Sequence, residues 1–169
     1  MKSSNRILES FETFLPHGST ILELGTGAGT KEFAEHYAVL SVENEPKYWT
    51  GHSKLLHVPL LPVTIVARSF WKRFPREEVA PWYDPDILHA KLKGEKYDAI
   101  FIDGPAGTNA RIAMWYWYDK LFDMSMPVII DDLHRSWDMK VATRICHLKQ
   151  QPVMYMRDMH VRRHHGVIL

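Results

Sequence analysis

Short apolar runs alternate with amphipathic segments along the chain, and no internal repeat or low-complexity tract interrupts them. Ile7, Leu8, Phe11, Phe14 and Leu15 fall at helical spacing behind Ser3, predicting a helix over 3–15 that Pro16, His17 and Gly18 end. Residues 20–24 read as a buried strand and lead into the glycine-rich stretch 25–29. A short helix over 30–37, a strand over 39–42 closed by Glu43, and another short helix over 44–53 follow. A third strand is expected over 55–61, where Pro59 and Pro62 make it short or an edge. Residues 64–85 are the least regular part, with Arg68, Lys72, Arg73 and Arg76 among Phe70, Trp71, Phe74, Trp82 and Tyr83. Beyond them the pattern predicts helices over 84–93, 108–122 and 138–150. It also predicts strands over 97–102, 127–130, 152–156 and 166–169.

Strands separated by helices imply a parallel sheet with right-handed crossovers. Helices on both faces explain why these strands read as near-continuous Val, Ile, Leu and Phe rather than alternating. In such folds a ligand sits at the carboxyl ends of the strands, where strand order switches. Glu23, Glu43, Asp103, Asp131 and Asp132 each close an apolar run, so the acids gather where that site is expected.

Composition narrows the class. A chain of 169 residues is about one domain, 1–169, and buries about 70% of its unfolded surface without staples. With 46% apolar and 24% charged residues it is an ordinary globular chain, neither disordered nor fibrous. Its net charge of +1 argues against bulk-charge binding to nucleic acid, although ten histidines can add positive charge below neutral pH. The lone Cys146 excludes an internal disulfide and reads as a small core residue. The first residues carry no apolar leader and no run is long enough to span a membrane, so the expectation is a cytoplasmic protein with no membrane partner.

The specific signals are the glycine loop and one acid. In Gly25-Thr26-Gly27-Ala28-Gly29-Thr30 the third glycine comes one residue too early for the dinucleotide fingerprint, so a nicotinamide-cofactor reading fails on spacing. Glu23, two residues before the loop, suits a ligand with a cationic amine. Glu43, at the end of the second strand, can accept both hydroxyls of a ribose.

With the segments 21–29, 42–46 and 97–105, the chain resembles the class I S-adenosylmethionine-dependent methyltransferases. The resemblance covers most of the chain. It implies a Rossmann-like, doubly wound, mostly parallel seven-stranded α/β sheet. It also implies a cofactor site in which Glu23, Gly25, Thr26 and Gly27 lie near the methionine portion. Glu43 and its neighbour Asn44 would serve the ribose, residues 57–60 with Pro59 and Leu60 the adenine, and Asp103 the methyl side. Asp103, Asp131 and Asp132 further resemble the acids that hold Mg2+ in catechol-type and caffeoyl-coenzyme A-type O-methyltransferases. Those families usually carry Asn beside the second acid, whereas this chain continues Leu133-His134-Arg135.

Candidate catalytic residues are Asp103, Asp131 and His134, as bases toward an acceptor hydroxyl. Arg111 and Arg135 either clamp an anionic substrate or pair with nearby acids. Trp82 and Tyr83 either line the acceptor pocket or belong to a surface loop. The run 115–118 is expected to be packing, and the basic tail 162–165 is too short for a nucleic-acid groove. The leading expectation is O-methylation of a small molecule or a sugar hydroxyl. Asp103-Gly104-Pro105-Ala106 lacks the Pro-Pro-aromatic run of amine-directed nucleic-acid enzymes, and Cys146 lacks a preceding Pro. Methylation of nucleic acid, on ribose or base, and a cofactor-binding module without methyl transfer stay as alternatives. No segment reads as a substrate lid, which leaves the site open or completed by a second copy in a homo-oligomer.

Overall fold

The computed structural model describes residues 3–66, 77–107, 110–157 and 164–169. Helix α1 is Ser3–Glu12, followed by strand β1 (Thr20–Leu24), helix α2 (Ala28–Ala34) and strand β2 (Ala38–Glu43). Strands β3 (Lys54–His57), β4 (Leu60–Val66) and β5 (Glu77–Tyr83) precede helix α3 (Pro85–Leu92). Then come β6 (Ala99–Ile102), α4 (Met114–Leu121), β7 (Val128–Ile130), α5 (Ser136–Lys149), β8 (Met154–Arg157) and β9 (His164–Ile168).

Seven strands form one sheet in the order β3-β2-β1-β6-β7-β9-β8. The pairings among β3, β2, β1, β6 and β7 are parallel, and β9 runs antiparallel to both of its neighbours. The chain winds outward from β1 to β3, then crosses back to β6. The switch in strand order therefore lies between β1 and β6, where this architecture opens a crevice.

Alternate residues of each strand feed two cores. On one face Ile21, Val39, Phe101 and Ile129 pack with Phe11 of α1 and Phe33 of α2. On the other, Leu22, Leu24, Ile100, Ile102, Val128 and Ile130 pack with Leu88 of α3, Tyr118 of α4 and Ile145 of α5. The doubly wound sheet with helices on both faces is thus as the sequence predicts. Half-buried Cys146 packs against this second core. No helix among the described residues is long and apolar enough to cross a membrane.

Two expectations are corrected. The strand expected over 55–61 is two strands, because the chain leaves the sheet at Val58 and Pro59, and β4 then pairs antiparallel with β5 in a separate hairpin. Pro62 faces Pro81 in that hairpin, where a missing N–H disrupts no larger sheet. The irregular 64–85 stretch is partly this hairpin; its basic residues 68–76 lie outside the described residues. The helix expected over 44–53 shrinks to a 3-10 turn at Pro46–Tyr48, with Gly51 in a left-handed conformation soon after it. A second 3-10 turn, Ala110–Ala113, precedes α4.

Candidate functional site

Three strand ends are drawn together at the switch point. Gly25 follows β1 with a φ of +89°, a conformation that suits glycine. Its N–H donates to the Val42 carbonyl at 2.8 Å, joining β1 to β2. Opposite it, Asp103 and Gly104 donate their N–H groups to the Leu24 carbonyl, joining β6 to β1. A Cβ on Gly104 would stand 2.5 Å from the Gly25 Cα and 2.9 Å from the Tyr83 hydroxyl, so the two glycines allow backbone to meet backbone. Tyr83 is wholly buried, and its hydroxyl donates to the Val42 carbonyl at 3.3 Å. Trp82 is buried as well, so both hairpin aromatics are core rather than surface loop or pocket lining.

Beside this junction opens a cavity of about 520 Å3. Gly25, Thr26, Glu43, Asn44, Leu60 and Asp103 line it, together with Glu45, Tyr48, residues 104–107, Arg111, Asp132 and Arg135. Six of the nine cofactor-binding expectations therefore meet in one cleft. Gly27 caps α2, where its N–H donates to Thr30 Oγ1 at 3.0 Å, and is not among the lining residues. Exposed Pro59 stands outside the lining too.

Glu43 is a clamp. Its Oε2 accepts from the Thr26 N–H at 3.0 Å and Thr26 Oγ1 at 3.2 Å. Its Oε1 accepts from the N–H groups of Asn44 and Glu45 at 2.7 and 2.9 Å. One carboxylate thus fixes the glycine loop to the turn after β2 while lining the cleft. Glu23 is different. Buried under the loop, it accepts from Thr30 Oγ1 and, at 2.7 Å, from Ser41 Oγ. Burial pushes its pKa up to about 8, outweighing those hydroxyls. Glu23 supports the loop from below and is not among the residues lining the cleft.

The acids after β6 and β7 surround one buried guanidinium. Arg111 Nη2 lies 3.1 Å from Asp103 Oδ1 and 3.4 Å from Asp132 Oδ2, and it also donates to the Asp103 carbonyl. Its Nη1 donates to the Asp131 carbonyl at 3.1 Å and stands 3.5 Å from Asp138. Arg135 reaches Asp132 Oδ2 at 2.9 Å. Of the two readings of these arginines, pairing with acids is the one the structure shows. Sequence reasoning left Arg111 undecided; the signal was an arginine inside the apolar run Ala110-Arg111-Ile112-Ala113, a charge with nowhere to go but a buried partner.

Asp132 has a φ of +61°, a left-handed conformation that Asp tolerates better than most residues. The turn separates two adjacent acids. The Asp131 carboxylate accepts the Asp132 N–H at 2.7 Å and stays inside, while Asp132 lines the cleft. Asp132 Oδ1 is buried and accepts no hydrogen bond; His134 Nδ1 stands 3.9 Å away. His134 itself is exposed and outside the lining. Burial and the neighbouring Asp103 and Asp132 push Asp131 up to about 6; burial does the same to Asp138 despite Arg111.

Oxygens of Asp103, Asp131 and Asp132 converge within 4.8 Å, a spacing a hard divalent ion could exploit. Two of these acids already pair with the buried Arg111 guanidinium. A second cation would meet a buried like charge, so the donor set does not fit Mg2+.

No protein-family model and no curated protein matches the chain. Solved structures do. It is similar to an O-methyltransferase from Bacillus cereus in complex with SAH, at a TM-score of 0.58 and 14% identity over 100% of this chain and 82% of that one. A putative rRNA-methylase from Clostridium thermocellum aligns at 0.57 and 10% identity over 99% and 96%. The E. cuniculi Mtq2-Trm112 complex, responsible for methylation of the termination factor eRF1, aligns at 0.53 and 12% over 98% and 92%. With the sheet order and the cleft at its switch point, these likenesses identify the fold as that of the class I S-adenosylmethionine-dependent methyltransferases.

Proposed function

We propose that the protein is an S-adenosylmethionine-dependent methyltransferase acting on a hydroxyl of a small molecule or sugar. The cleft carries this reading: a glycine loop clamped by Glu43 at the end of β2, with acids on its far side. Gly25, Thr26, Glu43, Asn44 and Leu60 would hold the cofactor, with Glu23 and Gly27 shaping the loop. Bound there, S-adenosylmethionine would supply an activated methyl group. The chain positions the acceptor and handles its proton.

Of the acids that follow β6 and β7, Asp103 is the accessible one, its side chain 44% exposed, and it would take the proton of the acceptor hydroxyl. Arg111 holds that carboxylate in place. Asp132, buried beside it, shares the Arg111 guanidinium and helps to fix that arrangement. Asp131 and His134 act at most through Asp132. Because Arg111 already supplies the compensating charge, the reaction needs no divalent ion.

A thermal-shift series with S-adenosylmethionine, S-adenosylhomocysteine and NAD tests the reading. Both S-adenosyl ligands should raise Tm by several degrees and NAD should not, since a ligand that binds only the folded chain stabilises it. Glu43→Gln should weaken S-adenosyl binding about tenfold or more, with most of the fold retained. A shift with NAD alone would overturn the proposal. Methyl transfer to hydroxylated acceptors should persist in excess chelator; loss of turnover there would restore the magnesium reading. The likeness to a putative rRNA-methylase of nearly the same length favours RNA as the acceptor in the second reading. Turnover on RNA and on no small acceptor would select it.

A further inference from the structure

A second group of converging ligand atoms stands at the opposite end of the sheet. Glu12 is the last residue of α1, His17 lies in the connection to β1, and His36 lies between α2 and β2. One ligand atom from each lies within 4.8 Å of the other two. His17 Nε2 is 3.7 Å from Glu12 Oε1, and the two imidazole centroids are 4.9 Å apart.

The backbone under these side chains is held without any ion. Gly18, with a φ of +85°, turns the chain directly after His17, and its N–H donates to the His36 carbonyl at 2.9 Å. Ala38 donates to the Ser19 carbonyl at 2.9 Å, closing the same two connections into one unit. Tyr37 meets the His17 ring edge-on and donates from its hydroxyl to the Leu15 carbonyl. Glu12 and His17 are exposed and His36 half-buried, so an ion has access from solvent.

We propose that Glu12, His17 and His36 form a binding site for a divalent transition-metal ion of the Zn2+ type. Two imidazoles and one carboxylate are ligands that Zn2+ takes at about 2.0–2.2 Å, with a fourth position left to water. Tetrahedral ligands at that length lie about 3.3 Å apart. Closing the present spacing therefore asks for rotamer adjustments of exposed Glu12 and His17 toward half-buried His36. The imidazole pair favours Zn2+, Co2+, Ni2+ or Cu2+ over Mg2+ and Ca2+. None of the three residues lines the cleft, so the site serves as a tie between the α1–β1 and α2–β2 connections and takes no part in methyl transfer.

The test titrates the chelator-treated full chain with CoCl2, followed by visible absorption, and then displaces the cobalt with ZnCl2. We expect one equivalent of saturable binding, displacement by Zn2+, and a rise in Tm of several degrees with Zn2+ in excess. His17→Ala and His36→Ala should each weaken binding roughly tenfold or more, and Glu12→Gln by less. S-adenosylmethionine affinity should be the same in all three variants, which separates this site from the cleft. Absence of saturable binding would overturn the proposal. So would a His17→Ala/His36→Ala double variant that binds as tightly as the parent chain, because the ion would then sit on other histidines.

Discussion

The two ends of the central strands each gather three potential metal ligands, and they differ in what already lies among them. After β6 and β7, Asp103, Asp131 and Asp132 stand around the buried Arg111. Before β1 and β2, at the other end of these strands, exposed Glu12 and His17 converge with half-buried His36. An all-oxygen cluster in a low-dielectric site is stable only with its charge offset, and here an internal guanidinium offsets it. Imidazoles that reach solvent need no such partner, because water satisfies them while the site is empty. Convergence of ligand atoms is therefore a weak sign of a metal by itself. The charge already beside the ligands decides which cluster is closed and which is open.

The largest effect expected from breaking this contrast comes from Arg111→Met. It leaves Asp103, Asp132 and Asp138 without their shared partner and should destabilise the chain by about 3–5 kcal/mol. At this chain length that corresponds to a fall in Tm of about 6–20 °C. Added Mn2+ should recover part of the loss in the variant and leave the parent's acid cluster unaffected. A variant that melts within a degree of the parent would show that Arg111 does not close the cluster.

Gly104→Ala acts on the same end of the sheet through shape instead of charge. The new Cβ would press on the Gly25 backbone at 2.5 Å, so β1 and β6 must part at the switch point. Such overpacking should cost about 2–3 kcal/mol and weaken S-adenosylmethionine binding. Cobalt binding at the far end should be unchanged. Parallel losses at both ends would mean that the two regions are coupled and the comparison false.

How far the sequence reveals these regions follows from the same physics. Strands β1, β2, β6 and β7 are buried on both faces, so their apolar runs mark them to within two residues of their bounds. The hairpin β4–β5 escapes because prolines at 59, 62 and 81 break the alternation that a strand would show. The acids at the strand ends are legible as a group, since nothing apolar explains them there. Which of Asp131 and Asp132 faces the cleft is not legible, because it depends on the single left-handed φ at Asp132. That Arg111 needs a buried partner is legible in its apolar run, but which partners is not: they come from the ends of β6 and β7 and from α5, and only the folded chain brings them together.

Glu23, in β1 and buried on the α1–α2 side of the sheet, tests a third way of managing a buried acid: it keeps its proton. Its pKa in the folded chain is about 8 against 4.5 when free, so the folded state holds a proton that the unfolded state has released. Stability must then fall as pH rises through that window. Asp131 and Asp138 act in the same direction only up to about pH 6. Between pH 6.5 and 8 the loss belongs mainly to Glu23 and should reach about 2 kcal/mol in urea unfolding. Glu23→Gln, which cannot ionise, should flatten the curve over that interval. An equally steep variant would assign the loss to another group.

His17→Ala has the smallest effect in metal-free solution and the most diagnostic one. The side chain is 63% exposed, and its contact with Glu12 spans 3.7 Å, so its removal should change stability by less than about 0.5 kcal/mol. The contrast with Arg111→Met is the point, because that substitution removes the cation that closes three acids, whereas His17→Ala removes one of three ligands from a cluster that holds no such cation. Where the cluster is closed by its own cation, the loss is felt at once and an added metal relieves it. Where the cluster is open, nothing changes until Zn2+ is added, and then the parent chain gains stability that the variant does not. A loss above 1 kcal/mol without metal would show that His17 already carries a structural bond and that the site is as closed as the one at the other end.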